Sequence, residues 1–208
     1  MARRKDQEAR RSELGEAAQR ALLARGLEGL RLRDVAEEAG VTPAAVLYYY
    51  GDLDELMMET YQQAIERFSS AREDVVEQLP DARDRLRECI DAGVASGPDD
   101  TIPRLLFEYC PRSLRDPRAA ALDSTLTERQ VAVYYGVLVL GRAQGHFTLT
   151  DPPRLLACNF LALEDGYQMD VLSGRRTRAE VVGLLRGYAR TVTGCSLDSV
   201  VSAKSSTD

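Results

Sequence analysis

Between Arg31 and Leu56 a glycine separates two short apolar-faced segments, and this stretch limits the fold more than any other part of the chain. Leu32, Val35, Ala36 and Ala39 fall on one helical face, and Gly40 follows at once, a residue that accepts the left-handed conformation of a tight turn. Thr42 offers a capping hydroxyl and Pro43 suits the first position of a second helix, which leaves Val41 to plug the angle between the two. Helices joined this closely cross steeply, as in a helix-turn-helix. The second helix runs into Tyr48, Tyr49 and Tyr50. Successive helical residues point about 100° apart, so the three rings cannot share one core and at least one must be exposed.

Helix signals continue along the chain and strand signals are almost absent, which makes the expected fold all-α. A first helix is expected from about Ser12 to Arg25, ended by Gly26. Asp52-Leu53-Asp54-Glu55 is an acidic capping turn for a fourth helix, which carries Leu56, Met57, Tyr61, Ile65 and Phe68 and extends to about Ser70. Pro80-Asp81 opens a helix toward Ala95, a loop follows at Ser96 to Asp100, and Pro103 lies in the first turn of the next helix. Asp116-Pro117 and Asp151-Pro152 each place a carboxylate before a proline, and so open two long helices at about 117–144 and 152–173. Thr177 and Glu180 form a capping box for a last helix that ends near Gly194. The expected organisation is a basic, flexible arm over 1–11, a helix-turn-helix head over 12–51, a larger helical domain over 52–196 and a disordered tail over 197–208. In the arm, Arg3, Arg4, Lys5, Arg10 and Arg11 stand against Asp6 and Glu8, a charge balance able to add nonspecific affinity for a polyanion.

Composition excludes several functions. The chain has 208 residues and a net charge of -6, yet acidity overall does not bar nucleic-acid binding, because the local field decides. No stretch approaches the roughly 20 apolar residues that span a bilayer, and the N-terminus lacks the apolar core of a signal peptide, so a cytoplasmic protein without membrane partners is expected. Cys89, Cys110, Cys158 and Cys195 show no C-x-x-C spacing and are expected as free, mostly buried thiols. His146 is the only histidine, which leaves catalytic triads and multi-histidine metal sites little to work with. No Glu-x-x-His pair or glycine-rich phosphate loop occurs either, so no catalytic residue, metal or cofactor is expected and the chain does not read as an enzyme. Leu155, Leu156, Cys158, Phe160, Leu161, Leu163, Tyr167, Val171 and Leu172 cover more of their helix than one core-facing stripe needs, and the last helix does the same with Val181, Val182, Leu184, Leu185, Tyr188 and Val192. Two buried faces suggest a partner, or else two helices central in one large core.

The run Ala36-x-x-x-Gly40-Val41-Thr42, followed by the tyrosine cluster, a capping turn and a long helical remainder, resembles the TetR family of one-component bacterial transcriptional regulators. The resemblance is specific from about Ser12 to Ala64 and architectural beyond, where the remainder is similar to the BetI-like branch. It implies DNA contacts from Arg33, Thr42, Pro43, Ala44, Ala45, Leu47, Tyr48 and Tyr49, with Tyr50 as a buried aromatic. It implies a homodimer built from the last two helices, with Leu156, Leu163, Val181, Leu185 and Tyr188 at the interface. It also implies a small-molecule pocket between about 81 and 173, with Phe107, Glu108, Tyr109, Tyr134, Phe160, Glu164, Asp165 and Tyr167 as candidate wall residues. Glu108, Glu164 and Asp165 interrupt apolar runs. A carboxylate there is turned to solvent, paired with an arginine, or left for a ligand with an amine or polar head.

The function so implied is a ligand-responsive regulator, by default a repressor released from a palindromic operator, whose partners are double-stranded operator DNA, a small-molecule effector and a second copy of itself. The alternative is an all-α small-molecule-binding or interaction module without sequence-specific DNA binding. That alternative draws on three departures from the family pattern: Leu53 where a phosphate-binding Lys is usual, Leu47 in place of an aromatic, and Arg31 in place of a capping Ser or Thr.

Overall fold

Capping side chains fix most helix starts. Asp52 accepts a hydrogen bond from the Glu55 amide at 2.7 Å, Asp81 from Arg83 at 2.8 Å and Asp116 from Arg118 at 2.9 Å. Thr177 and Glu180 complete a reciprocal box in which the Glu180 carboxylate takes the Thr177 amide at 2.7 Å. Each satisfies an amide that the first helical turn leaves without a partner.

The computed structural model describes residues 2–197, with side chains from residue 7 onward. Those residues form α1 (Ala2–Arg25), α2 (Leu32–Glu38), α3 (Pro43–Tyr49), α4 (Leu53–Glu77), α5 (Ala82–Gly93), α6 (Thr101–Tyr109), a 3-10 turn (Cys110–Leu114), α7 (Pro117–Ala143), α8 (Pro153–Leu172) and α9 (Arg178–Thr193). No strand occurs among the described residues, and the fold is all-α as expected.

Four expectations are corrected. First, α1 begins at Ala2 rather than near Ser12, so the stretch expected as a flexible arm is helical from residue 2. Residues 2–11 contain no Gly or Pro and are mostly good helix formers, and Arg10 pairs with Glu13 one turn on. Second, α8 begins one residue late. Pro152 takes an extended conformation, φ -54° and ψ 135°, because Pro153 follows it, and Asp151 is left to accept from the Thr150 hydroxyl instead of capping. Third, all four cysteines are free, but Cys110 and Cys158 are exposed and only Cys89 is fully buried. Fourth, Leu197 is packed in the core and its carbonyl accepts from Arg87 Nε at 3.1 Å, so the expected tail cannot start there. Residues 198–208 lie outside the described residues.

Two apolar clusters organise the helices. The first joins Leu14, Leu22, Val35, Val46 and Tyr50 of the head to Leu56, Tyr61 and Ile65 of α4, Leu105 and Tyr109 of α6 and Ala119 of α7. The second is built from the end of α4, α5, the later turns of α7, α8 and α9, and includes Leu86, Ile90, Leu138, Phe160 and Leu185. Helix α4 contributes to both, and a boundary at 51–52 cuts through the first cluster. No helix among the described residues is long and apolar enough to cross a membrane.

Candidate DNA-reading head and effector cavity

The turn between α2 and α3 has the geometry its residues dictate. Gly40 adopts φ +64°, the Val41 amide donates to the Ala36 carbonyl at 2.9 Å, and the Thr42 hydroxyl accepts from the Ala45 amide at 3.2 Å. Val46 is the buried anchor of α3, and Tyr50 lies buried just beyond it. The remaining face is open. Thr42, Pro43 and Ala44 are exposed, Leu47 and Tyr48 are 46% and 68% exposed, and Ala45 and Tyr49 are half-buried. Tyr48 is thus the tyrosine left outside the core.

Arg33 projects from α2 with 79% of its side chain exposed, and its one ionic neighbour among the described residues is Asp34 at 3.8 Å. The pairing with Glu37 that four-residue spacing allows is not made, since Glu37 faces Arg25. Asp34 was missed by sequence reasoning. It is buried and accepts the Arg31 amide at 2.8 Å, which supplies half of a capping box without a Ser or Thr at Arg31. An acidic residue three positions after the helix entry was the available signal. Leu53, in the place of the usual Lys, is half-buried against the head.

The face of α8 and α9 that stays open is not the expected one. Leu156, Val181 and Leu185 are buried in this chain's own core, and Leu163 and Tyr188 are half-buried against it. The large apolar residues facing outward there are Leu155, Met169 and Leu184, with Tyr135 on α7. Periodicity gave the width of the apolar arc, but α5 and α7 decide which part of it is consumed inside the chain.

A cavity of about 190 Å³ opens between α4, α5, α6, α7 and α8. Of the expected wall residues it gathers Phe107, Glu164 and Asp165, together with Leu106, Cys110 and Gln168. The others lie elsewhere. Glu108 pairs with Arg104 at 2.9 Å, and Tyr109 is buried in a stack on Tyr61 at 4.5 Å. Tyr134 stands behind Glu164, Phe160 is held between the Tyr134 and Tyr188 rings at 4.8 Å each, and Tyr167 packs on the second cluster. Tyr61, Phe68, Asp123 and Gln130 are also in the wall and were not anticipated, because nothing in an amphipathic pattern tells cavity wall from core.

The polar end of the cavity is a buried network around Arg72 of α4. Its guanidinium donates to the Cys89 carbonyl from Nε at 3.1 Å and Nη2 at 2.7 Å, to Gln130 Oε1 at 2.5 Å, and to both Glu164 oxygens at 2.9 and 2.6 Å. Tyr134 donates its hydroxyl to Glu164 at 2.6 Å and lays its ring 4.8 Å from the guanidinium. Burial disfavours the charge on Arg72, but the groups around it, Glu164 among them, outweigh this and hold its pKa well above the usual value. Burial also pushes the Cys89 thiol up to about 11 and raises the Tyr134 phenol.

With Glu164 paired, two carboxylates remain on the wall. Asp123 accepts from the Tyr61 hydroxyl at 3.3 Å. Asp165 has no hydrogen-bond or ion-pair partner among the described residues. Its side chain is exposed overall but lines the cavity mouth, where reduced hydration, followed by repulsion from Glu164, lifts its pKa to about 7.

Comparison with known proteins agrees with this anatomy. The family model for bacterial regulatory proteins of the tetR family matches residues 14–60. The regulator BetI of Burkholderia cenocepacia is 30% identical over 128 residues, 59% of this chain and 64% of BetI, and PksA of Bacillus subtilis is 34% identical over 70 residues, 34% of each chain. The chain therefore spans between one third and just under two thirds of the length of these relatives. A transcriptional regulator from Saccharomonospora viridis, solved in complex with choline, superposes with a TM-score of 0.80 at 21% identity, covering 89% of this chain and 98% of that one. Residues 14–60 thus form a reading head of the tetR family, set on a helical fold shared with solved transcriptional regulators.

Proposed function

We propose that the protein is a ligand-responsive transcriptional regulator, most simply a repressor, which binds a palindromic operator as a homodimer in the cytoplasm. The observation that carries this reading is the open face of α3 beside the exposed Arg33, while Val35, Val46 and Tyr50 behind it are packed in the core. Arg33 is long enough to bond a guanine edge through two parallel hydrogen bonds, and Pro43, Ala44 and Leu47 offer apolar contact to thymine methyls. Thr42 and Tyr48 supply hydroxyls for phosphate. The outward faces of α8 and α9, with Leu155, Met169 and Leu184, are the surface for the second copy, and a twofold dimer sets its reading helices ~34 Å apart. Selection of bound duplexes from a random pool tests the reading, with a palindrome as the expected product. Arg33→Ala is expected to lose about 1–3 kcal/mol at particular base pairs and little elsewhere. If no duplex is enriched even at low salt, the chain is a ligand-binding or interaction module instead.

The effector proposed for the cavity is a small organic cation. Asp165 and Asp123 offer uncompensated negative charge, and Tyr61, Phe68 and Phe107 offer ring surface of the kind that receives ammonium groups. The choline-bound Saccharomonospora viridis protein of the same fold supports a ligand of this class. Because the pKa of Asp165 is raised in the folded protein, the empty protein gains from its protonation at low pH, and that contribution fades as pH rises from about 4 through about 7. A cation binds the deprotonated form. Choline keeps its charge at every pH, so titration calorimetry with choline is expected to give affinity about tenfold higher at pH 8 than at pH 6. Asp165→Asn is expected to weaken binding and flatten this dependence. Equal wild-type affinity at both pH values would remove Asp165 as the counter-ion.

Cavity and head are joined by α4, which carries Arg72 at one end and, at the other, Asp54 held by Arg112 and by Arg118 at 2.7 Å. A ligand shifts the two halves of a dimer only by its difference in affinity for the two arrangements.

A further inference from the structure

Helix α3 is seven residues long and is anchored to the core by Val46 and the adjoining Tyr50. A helix of two turns leaves its last carbonyls without partners, and its orientation is only as firm as the groups that take them up. Here the partner comes from far away in sequence. Arg11 of α1 donates Nη1 to the Tyr49 carbonyl at 2.6 Å, at the end of α3, where a cation also opposes the helix dipole. The Arg11 guanidinium lies over the Tyr50 ring at 4.1 Å and forms a two-pronged ion pair with Glu59 of α4. Glu59 in turn is fixed by Gln63 at 3.2 Å and by the Tyr50 hydroxyl at 3.1 Å, and that hydroxyl also sits 3.2 Å from the Arg11 carbonyl. Three helices thus meet at one guanidinium.

We propose that Arg11 and Glu59 are positioning residues that set the angle of the reading helix: Arg11 holds the end of α3 and Glu59 ties Arg11 to α4. The inference rests on the DNA-reading function proposed above and adds to it two residues outside the helix-turn-helix. Arg11 is half-buried with its donors committed inward, so its part in binding is geometric and not a phosphate contact. Only a planar fork can reach the Tyr49 carbonyl and both Glu59 oxygens at once, which an ammonium cannot reproduce.

The test uses the full chain and the duplex that the wild type selects from a random pool. Glu59→Gln is the decisive variant because two accounts of it differ in sign. Removing a negative charge near DNA strengthens binding if only the general field matters. Loss of the positioning contact weakens it, by on the order of tenfold. Arg11→Met is expected to weaken binding similarly with an unchanged slope of log affinity against log salt, and Arg11→Lys is expected not to restore it. The helical circular dichroism of each variant is compared with wild type, and Glu59→Gln, which keeps the side-chain shape but leaves only one oxygen to accept from Arg11, serves if Arg11→Met fails to fold. Binding by Glu59→Gln that equals or exceeds wild type overturns the proposal. So does a salt slope that falls by about one unit in Arg11→Met, the mark of a lost phosphate contact. If the wild type selects no duplex, the DNA-reading function falls first and this inference with it, an outcome distinct from a wild type that binds beside variants that bind equally well.

Discussion

Exchanging Arg72 for Met is expected to cost about 3–5 kcal/mol of folding stability, because it leaves Glu164 buried beside Tyr134 with no cation to answer its charge. Urea unfolding followed by circular dichroism reads the loss as a lower midpoint. The second half of the prediction separates ionic from steric causes. A chain carrying both Arg72→Met and Glu164→Leu is expected to regain most of that stability, since well-packed apolar groups commonly replace a buried ion pair at little cost. The single and double variants would melt alike if the network contributed only volume. If the double variant does regain stability, the ion pair is retained for what it does at the cavity wall, where Glu164 and Gln130 stand between the cavity and Arg72. The double variant is accordingly expected to fold and to bind DNA while responding less to choline.

Gly141 offers the second large effect. A Cβ at this position would lie 2.0 Å from the Phe147 ring, well inside any tolerable contact. The ring is buried, and the His146 and Phe147 amides both donate to the Gly141 carbonyl at 2.9 and 3.1 Å, so the chain turns back tightly over the glycine. Gly141→Ala is expected to cost about 1–3 kcal/mol through overpacking, rising toward the ~3–5 kcal/mol of a lost buried Phe if the ring is expelled. The following segment is bonded to the end of α9, Thr148 to the Thr193 carbonyl at 2.8 Å and Thr150 to Val192 at 3.1 Å. Loosening of α9 is therefore expected to accompany the loss, read as faster amide exchange over Val192 and Thr193. Partial recovery in Gly141→Ala with Phe147→Leu would identify the ring clash as the cause; a loss unchanged by Phe147→Leu would refute it.

Local chemistry was legible in the sequence, and pairing across helices was not. Gly40 and Thr42 announced the helix-turn-helix, and the caps at Asp52, Asp116 and Thr177 announced three helix starts, because each acts on amides within a few residues. Ser12 misled, since a good N-cap residue inside a run of helix formers has no reason to stop the helix. Arg72 gave no signal. An arginine on a long amphipathic helix reads as solvated until Gln130 and Glu164, 58 and 92 positions on, are found beside it. Glu164 was detectable as a carboxylate in an apolar run, and its partner was not. Likewise the apolar arcs of α8 and α9 pointed to a second surface, but the rotation that buries Leu156 and leaves Leu155 outside is set by neighbouring helices.

The apolar cluster beneath the reading helix draws Leu56, Tyr61 and Ile65 from α4 and Leu105 and Tyr109 from α6, well past the turn at Gly51. The head is therefore not a detachable part. A graft of residues 1–51 onto another regulator would carry its reading helix without the floor on which it rests. A working chimera must take α4 with it and accept whatever α6 the host supplies. For the same reason the recombination of heads and effector halves is constrained to crossovers late in α4, past Ile65, and such a chimera must also accommodate α7, which packs on both clusters.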